Sequence, residues 1–293
     1  MSAGLPFPTF VAVSHGFHRL AAAGFAISAA LALAGCETVS GVAGGRPSIV
    51  EKVDADEAAG TNLESLNDVV RRNPASPEAF NTRGVALAKI GRYGEAIADF
   101  SQAVKLDPNH AAAYTNRALA YRQTGRNDLA QNDFTRAITS NPNHAPAYIG
   151  RANLLRSQGN LADALTDLNQ AIRLNPEGAQ AYHARGLLYQ RQGLHPQAIT
   201  DFDNAIDRDP FNAAPYQARG QSLTAIGKFD AAIEDFNASL NVEPKNADAW
   251  AGLGLAYERQ GNRQKAQESY SRALTVNANN AAARDGIART GRG

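Results

Sequence analysis

Apolar and small residues recur along this chain with the spacing of helices. Phe80, Gly84 and Leu87 lie on one stripe of a helix, at positions i, i+4 and i+7. A second stripe of the same kind begins at Ala96. Gly91 lies between the two stripes and suits the left-handed residue that ends many helices. The pattern therefore predicts two helices joined by a tight turn.

The same pattern returns every thirty-four residues. Proline recurs at this spacing, at Pro74, Pro108, Pro142, Pro176, Pro210 and Pro244. An aromatic column comprises Phe80, Tyr114, Tyr148, Tyr182, Tyr216 and Trp250. A glycine column comprises Gly91, Gly125, Gly159, Gly193, Gly227 and Gly261, and an alanine column comprises Ala96, Ala130, Ala164, Ala198, Ala232 and Ala266. Such a period indicates an array of six helical hairpins rather than one globular core.

The order of the columns resembles the tetratricopeptide repeat, in which aromatic, small, Gly, Ala, aromatic, Ala and Pro positions follow one another over thirty-four residues. The resemblance implies an all-α fold, a right-handed superhelical solenoid of six helix-turn-helix units with capping helices. Three positions depart from the pattern: Leu168 replaces an aromatic residue, Ser239 replaces an alanine, and Ala278 stands where the next proline is expected. The last departure marks the end of the array.

The repeat divides the chain into five segments. We expect a lipoprotein signal peptide at 1–35, a flexible tether at 36–61, an N-terminal capping helix at 62–76, six repeat units at 77–280, and a C-terminal capping helix and tail at 281–293. The tether is rich in Gly, Ser, Asp and Glu and has little periodic apolar content. Capping helices are expected because the end of a solenoid otherwise exposes an apolar face.

The N-terminal segment has the pattern of a signal peptide. Residues 20–34 are uncharged and mostly apolar, but a helix of that length falls short of the hydrocarbon core of a bilayer, which is about 30 Å thick. The sequence LAGC that ends at Cys36 resembles the lipobox of bacterial lipoprotein precursors. The resemblance implies acylation of the Cys36 thiol, and hence a palmitate-bearing membrane anchor. Residues 32–34 also fit an ordinary secretory cleavage site, so a secreted or uncleaved protein is the alternative.

The lipobox resemblance also implies a location. A membrane-anchored lipoprotein of the cell envelope that faces the periplasm is expected. The residue after the cysteine is Glu37 rather than the aspartate associated with inner-membrane retention, which favours the outer membrane.

Charge and cysteine content narrow the classes of function. Lys and Arg number 29 against 28 Asp and Glu, so no overall field attracts nucleic acid, and none is expected as a partner. A single cysteine forms no internal disulfide and no multi-cysteine metal site. The sequence contains no phosphate-binding glycine loop and no serine or cysteine in a recognisable catalytic motif. We therefore expect no cofactor, no metal and no enzymatic activity.

Two charged columns occupy partly buried stripes. One consists of Arg83, Arg117, Arg151, Arg185 and Arg219, and the other of Asp99, Asp133, Asp167, Asp201 and Asp235. A buried charge is costly unless it is paired, and a guanidinium suits a carboxylate. The sixth unit has Leu253 and Ser269 at the two positions and loses both charges together, which favours structural pairing within a unit. An anion-binding role for the arginines is the alternative.

The first helix of each unit is expected to line a concave groove, as the resemblance implies. The candidate groove residues are Asn81, Lys89, Thr115, Arg122, Asn153, Arg156, His183, Gln190, Arg191, Gln217, Gln221 and Arg259. Amides can hydrogen-bond the backbone of a peptide and arginines can hold carboxylates, so an extended or helical, partly acidic protein segment is the expected ligand. An ordinary solvated surface is the alternative.

These features together favour a lipid-anchored adaptor that binds other proteins. Envelope lipoproteins with this repeat recruit peptidoglycan-active enzymes or proteases, and others help to assemble pili or secretion systems. The sequence does not choose between these tasks. A purely structural protein that forms homo-oligomers through its flanks is a third possibility.

Overall fold

The computed structural model describes residues 63–291, and the signal peptide, Cys36 and the tether lie outside them. The described residues form fourteen α-helices and no strand. They are α1 (63–72), α2 (Pro77–Lys89), α3 (Tyr93–Leu106), α4 (Ala111–Gln123), α5 (Asn127–Ser140), α6 (Ala145–Ser157), α7 (Leu161–Leu174), α8 (Ala179–Arg191), α9 (His195–Arg208), α10 (Ala213–Ala225), α11 (Phe229–Val242), α12 (Ala247–Gln260), α13 (Arg263–Val276) and α14 (Ala281–Thr290).

The turns follow the expected chemistry. The glycine column adopts left-handed backbone angles between the helices of each unit, with φ from 73° to 89°. Between units the chain leaves the helical region just before proline, as at Asp107, because a residue before proline avoids helical angles. Several helices begin at an asparagine whose side-chain oxygen accepts a backbone N–H, namely Asn160, Asn212, Asn246, Asn262 and Asn280.

The helices stack in chain order. Among α2–α14, each helix contacts helices one or two places away and none further. The first helices of neighbouring units contact one another, from α2 with α4 to α10 with α12, whereas the second helices of neighbouring units do not. The first helices are therefore packed side by side on the inner, concave side of the array, and the second helices are splayed on the outer side.

A large side chain from each second helix fills the space between two first helices. Phe134 of α5 packs against Ala118 of its own unit and against Gly150 of the next unit. A Cβ atom on Gly150 would lie 2.3 Å from Cε1 of Phe134, so only glycine fits there without a shift. The thickness of this side chain and the small residues on both sides fix how closely successive units approach.

Leu168, the departure in the third unit, follows from the same packing. It is 1% exposed and lies in one cluster with Ala152 of its own unit and Ala184 of the next. Both flanking residues carry a methyl group here, whereas the rings of Phe202 and Phe236 each face at least one glycine. The narrower leucine therefore compensates for two methyl groups.

The predicted fold class is confirmed. Within residues 63–291 the chain is an all-α repeat solenoid of six hairpins, with one helix before them and one after. The last helix covers the end of the sixth unit, where the ring of Tyr270 lies between Gly254 and Gly286. None of the described helices combines the length and apolar character needed to cross a membrane.

Replacing Leu168 with phenylalanine is expected to destabilise the third unit by about 1 to 3 kcal/mol, because the ring would clash with two methyl groups. The double variant L168F/A184G restores the glycine found at the corresponding Gly150. Its loss of stability should be smaller than the sum of the two single losses by about 0.5 kcal/mol or more, as measured by urea unfolding. Strictly additive losses would contradict this packing account.

Candidate functional site

Each of the five predicted ion pairs lies within one unit. The arginine Nε and Nη2 atoms donate to the two carboxylate oxygens of the aspartate sixteen residues later, over 2.6 to 2.8 Å. The pairs are Arg83 with Asp99, Arg117 with Asp133, Arg151 with Asp167, Arg185 with Asp201, and Arg219 with Asp235. The aspartates are buried, and the hydrogen bonds to them raise the pKa of every one of these guanidinium groups.

The same arginines also tie neighbouring units together, which the sequence reasoning missed. In four of the five, Arg83, Arg117, Arg185 and Arg219, a third guanidinium nitrogen, Nη1, donates to a side chain sixteen residues earlier, on the second helix of the preceding unit or, for Arg83, on α1. The acceptors are Asn67, Ser101, Asn169 and Asp203, at 2.6 to 3.1 Å. The signal in the sequence is a short polar residue directly after the large apolar residue, as in Phe100 followed by Ser101.

The groove side of the array contains three cavities in succession. The first, of about 310 Å³, lies between α2 and α4 and is lined by Lys89. The second, of about 680 Å³, extends from α4 to the start of α10 and brings together Arg122, Asn153, Arg156 and His183.

The third cavity, of about 890 Å³, extends from α10 to α14. The predicted groove residues in its lining are Gln217, Gln221 and Arg259. Arg289 of the last helix also lines it and was not among the sequence candidates. Its position in a short helix after the last repeat gave no periodic signal.

Three other candidates on the first helices bond to neighbouring units. The Asn81 side-chain oxygen accepts from the Asn116 amide at 2.9 Å. The Gln190 amide donates to the Ala218 carbonyl at 3.0 Å, and Arg191 donates to the Arg156 carbonyl at 2.8 Å. These contacts join adjacent first helices and leave Arg191 beside the second cavity.

Thr115 does not present its hydroxyl to the groove, so that expectation is wrong. The residue is 3% exposed, and its hydroxyl donates to the Ala111 carbonyl one turn earlier at 2.9 Å. A small side chain between packed first helices is buried by them, and its hydroxyl is satisfied by its own helix.

Glu258, the acidic neighbour of the groove residue Arg259, is paired with an arginine of the last helix. Both carboxylate oxygens accept from Arg289, at 2.8 and 2.9 Å, and one also accepts from the Tyr270 hydroxyl at 2.6 Å. The hydrogen bonds from Arg289 keep the pKa of Glu258 below its usual value. The C-terminal helix is thereby joined to the groove side of the sixth unit.

The second cavity has a distinct electrostatic character. Burial lowers the pKa of Arg156, and the nearby charges of Arg191 and Arg122 lower it further. Burial and the charge of Arg156 likewise lower the pKa of His183. The Nε atom of Arg156 is buried and has no hydrogen-bond partner among the described residues. This part of the groove therefore concentrates positive charge without compensation.

In the described part of the chain, no group of three potential metal-binding side chains converges. His110 and His144 lie in the turns at the starts of α4 and α6, and the buried Nε2 atom of each has no hydrogen-bond partner among residues 63–291.

Family models identify the repeat. A TPR repeat model matches residues 84–125, 152–193 and 220–261, and three tetratricopeptide repeat models match residues 115–167, 179–212 and 247–280. Together they span residues 84–212 and 220–280, which is more than half of the chain. The chain belongs to the tetratricopeptide repeat (TPR) family. This repeat is typically a non-catalytic scaffold for protein interactions. No curated protein matches the chain in sequence.

Solved TPR structures share the fold. A chain of the APC/C hetero-tetramer Cut9–Hcn1 matches with a TM-score of 0.72 and 21% identity over 78% of this chain, but the match spans only 46% of that chain. PilF of Pseudomonas aeruginosa matches with a TM-score of 0.65 and 17% identity, over 74% of this chain and 99% of that one. PilW, described as a type IV pilus biogenesis factor, has a TM-score of 0.65 and 20% identity, over 71% and 97%.

Asp167→Ala is expected to destabilise the TPR array by about 3 kcal/mol or more, because Arg151 would keep a partly buried charge without its partner. The matched control is the double variant R151L/D167S, which reproduces the Leu253 and Ser269 combination of the sixth unit. It should stay much closer to the wild type in urea unfolding. A loss under about 1 kcal/mol for Asp167→Ala would show that the pair behaves as an exposed one.

His183→Gln is expected to reduce the acid sensitivity of the protein. Because the pKa of His183 is lowered on folding, the unfolded chain binds more protons below pH 6.5, and the folded state loses stability as the pH falls through that value. The titration of His183 changes the free energy of unfolding by at most about 1.4 kcal/mol per pH unit. Glutamine is tolerated in this column, as at Gln217. Equal losses for variant and wild type in urea unfolding, between about pH 7.5 and pH 5.5, would contradict the assignment.

Proposed function

We propose that this TPR protein is a lipid-anchored, periplasm-facing adaptor that binds segments of other proteins in its concave groove. The observation that carries the proposal is the succession of three cavities along the first helices, from α2 to α14. An extended or helical, partly acidic segment laid along this row would contact several units at once. A scaffold of this kind would recruit peptidoglycan-active enzymes or proteases during envelope biogenesis.

The lining of the groove supports binding rather than catalysis. Amide, arginine and apolar side chains line both of the larger cavities and can hold a backbone, a carboxylate or an apolar side chain. Ser157 and His183 also line the second cavity, but the Ser157 hydroxyl donates to the Leu154 carbonyl of its own helix at 2.6 Å rather than to the histidine. The chemistry that the groove offers is recognition, in keeping with the usual role of the repeat.

The proposed anchor rests on the lipobox resemblance around Cys36. Several acyl chains hold a protein at a membrane durably, since each buried methylene contributes about 0.8 kcal/mol. The segment between Cys36 and α1 would set how far from the membrane the groove operates, with the outer membrane as the proposed site.

Assembly of a pilus or secretion system is the second candidate. PilF and PilW share this architecture over nearly their whole length, although identities of 17% and 20% support a common fold alone. A structural protein that self-associates is the third candidate. The nature of the captured partner distinguishes these functions.

Photo-crosslinking in cells tests the adaptor function. A crosslinker at Asn153 or Gln221, which line the second and third cavities, should capture the same envelope proteins, whereas one at the exposed Arg136 on a second helix should not. Capture of pilus or secretion subunits would favour the second candidate, and capture of the chain itself would favour self-association. Equal capture from Arg136 would contradict binding in the groove.

The anchor is tested at Cys36. The wild-type chain should incorporate labelled palmitate and be processed in a globomycin-sensitive manner, and Cys36→Ala should lose both the label and the membrane association. Undiminished membrane association of Cys36→Ala would contradict the lipid anchor.

A further inference from the structure

The second cavity is basic and contains no acid of its own. Arg122 of α4, Arg156 of α6 and His183 of α8 line it together with amide and apolar side chains, and no aspartate or glutamate does. Arg191 lies at its edge, where it donates to the Arg156 carbonyl. Among residues 63–291, Arg122, Arg156 and Arg191 form no salt bridge with any carboxylate.

The cluster is electrostatically incomplete. Three guanidinium groups from three successive units lie near one another. Burial lowers the pKa of the central one, Arg156, and the charges of Arg191 and Arg122 lower it further. The Arg156 Nε atom is removed from solvent and has no partner within the described chain. A buried donor and an unpaired charge both cost free energy, and a carboxylate would satisfy them together.

An exposed aromatic residue directly precedes a residue of the cavity lining in the sequence. Phe211 is 85% exposed, and its neighbour Asn212 lines the cavity. The corresponding turn positions of the other units all carry polar residues, namely Asn109, Asn143, Glu177, Lys245 and Asn279. The cavity wall itself includes the apolar residues Ile149, Leu187 and Pro215. A solvent-exposed phenylalanine that adjoins, in sequence, the lining of a partly apolar cavity is suited to contact an apolar group of a ligand.

We propose that this cavity selects the partner segment by recognising two neighbouring residues of that segment. An aspartate or glutamate side chain enters between Arg122 and Arg156, and a neighbouring aromatic or aliphatic residue packs on Phe211. The inference rests on the proposed protein-binding function and adds to it the identity of the specificity site. Charge complementarity and the lone aromatic at the turn argue for an acidic and apolar peptide rather than a uniformly acidic one.

Selection from a library of displayed random dodecapeptides on the full-length chain tests the proposal. Wild-type protein should enrich peptides in which an acidic residue lies within a few positions of an aromatic or aliphatic one. The variant R122Q/R156Q should lose the acidic preference, and F211N should lose the apolar one. These replacements occur naturally in the same columns, as Gln190 and as Asn143.

The affinity of the best selected peptide gives the quantitative measure. In fluorescence anisotropy, R122Q/R156Q should raise the dissociation constant of the peptide about tenfold or more. F211N should also raise it, and the factor should be the same at low and at high salt. R136Q is the matched control, since Arg136 is exposed on the second helix of its unit, and it should leave the affinity unchanged. Only the effect at the two cavity arginines should diminish with added salt.

The outcomes distinguish a failure of the proposed protein-binding function from a failure of the proposed specificity site. Failure to select any peptide that binds wild-type protein would overturn both the protein-binding function and this site. Selected peptides that lack acidic residues, or that bind R122Q/R156Q as tightly as the wild type, would overturn the site alone. A further outcome is that inorganic phosphate stabilises the wild-type protein against heat but not R122Q/R156Q, while the selected peptides show no acidic preference. That combination would assign the cavity to a free anion and would also overturn the proposed site.

Discussion

The structure depends on how closely successive hairpins can approach. One large side chain from each second helix lies between two first helices, and the small residues on either side of it set the distance. Where glycine is available, as at Gly150 or Gly252, the side chain is an aromatic ring; where both neighbours are alanine, it is Leu168. This constraint holds the first helices side by side, and the groove exists because they form a continuous row.

Arginine occurs in two different electrostatic environments in the array. Arginines of one column, such as Arg151, donate from Nε and Nη2 to the two oxygens of a buried carboxylate and contribute to the cohesion of the unit. Arginines on the groove side, such as Arg156, converge with one another and lack such a partner in the described chain. The difference comes from the position on the helix, because one stripe faces the adjacent second helix and the other faces the groove.

The repeat made most of the fold predictable. A period that returns six times fixes the helices, the turns and the pairing of Arg83 with Asp99, because the two residues keep the same separation in every charged unit. Arg122, Arg156, His183 and Arg191 were all predicted as groove residues, but their grouping around one cavity was not predictable from the repeat. Arg122 and Arg191 come from different columns, and only the packing of three units brings them near Arg156. Phe211 is a single exception in a polar column, so periodicity carried no signal for it.

The sixteen-residue separation within each charged pair has a consequence for changes in the number of hairpins. Duplication or loss of one whole hairpin leaves every remaining guanidinium with its carboxylate, so changes in array length are tolerated by the framework. The basic cavity lacks this freedom, since it draws residues from four consecutive hairpins. Excision of the hairpin that contains Arg156 would leave the charged pairs of the remaining hairpins but remove the basic cavity. A change in the number of hairpins would therefore affect the charged pairs and the basic cavity differently.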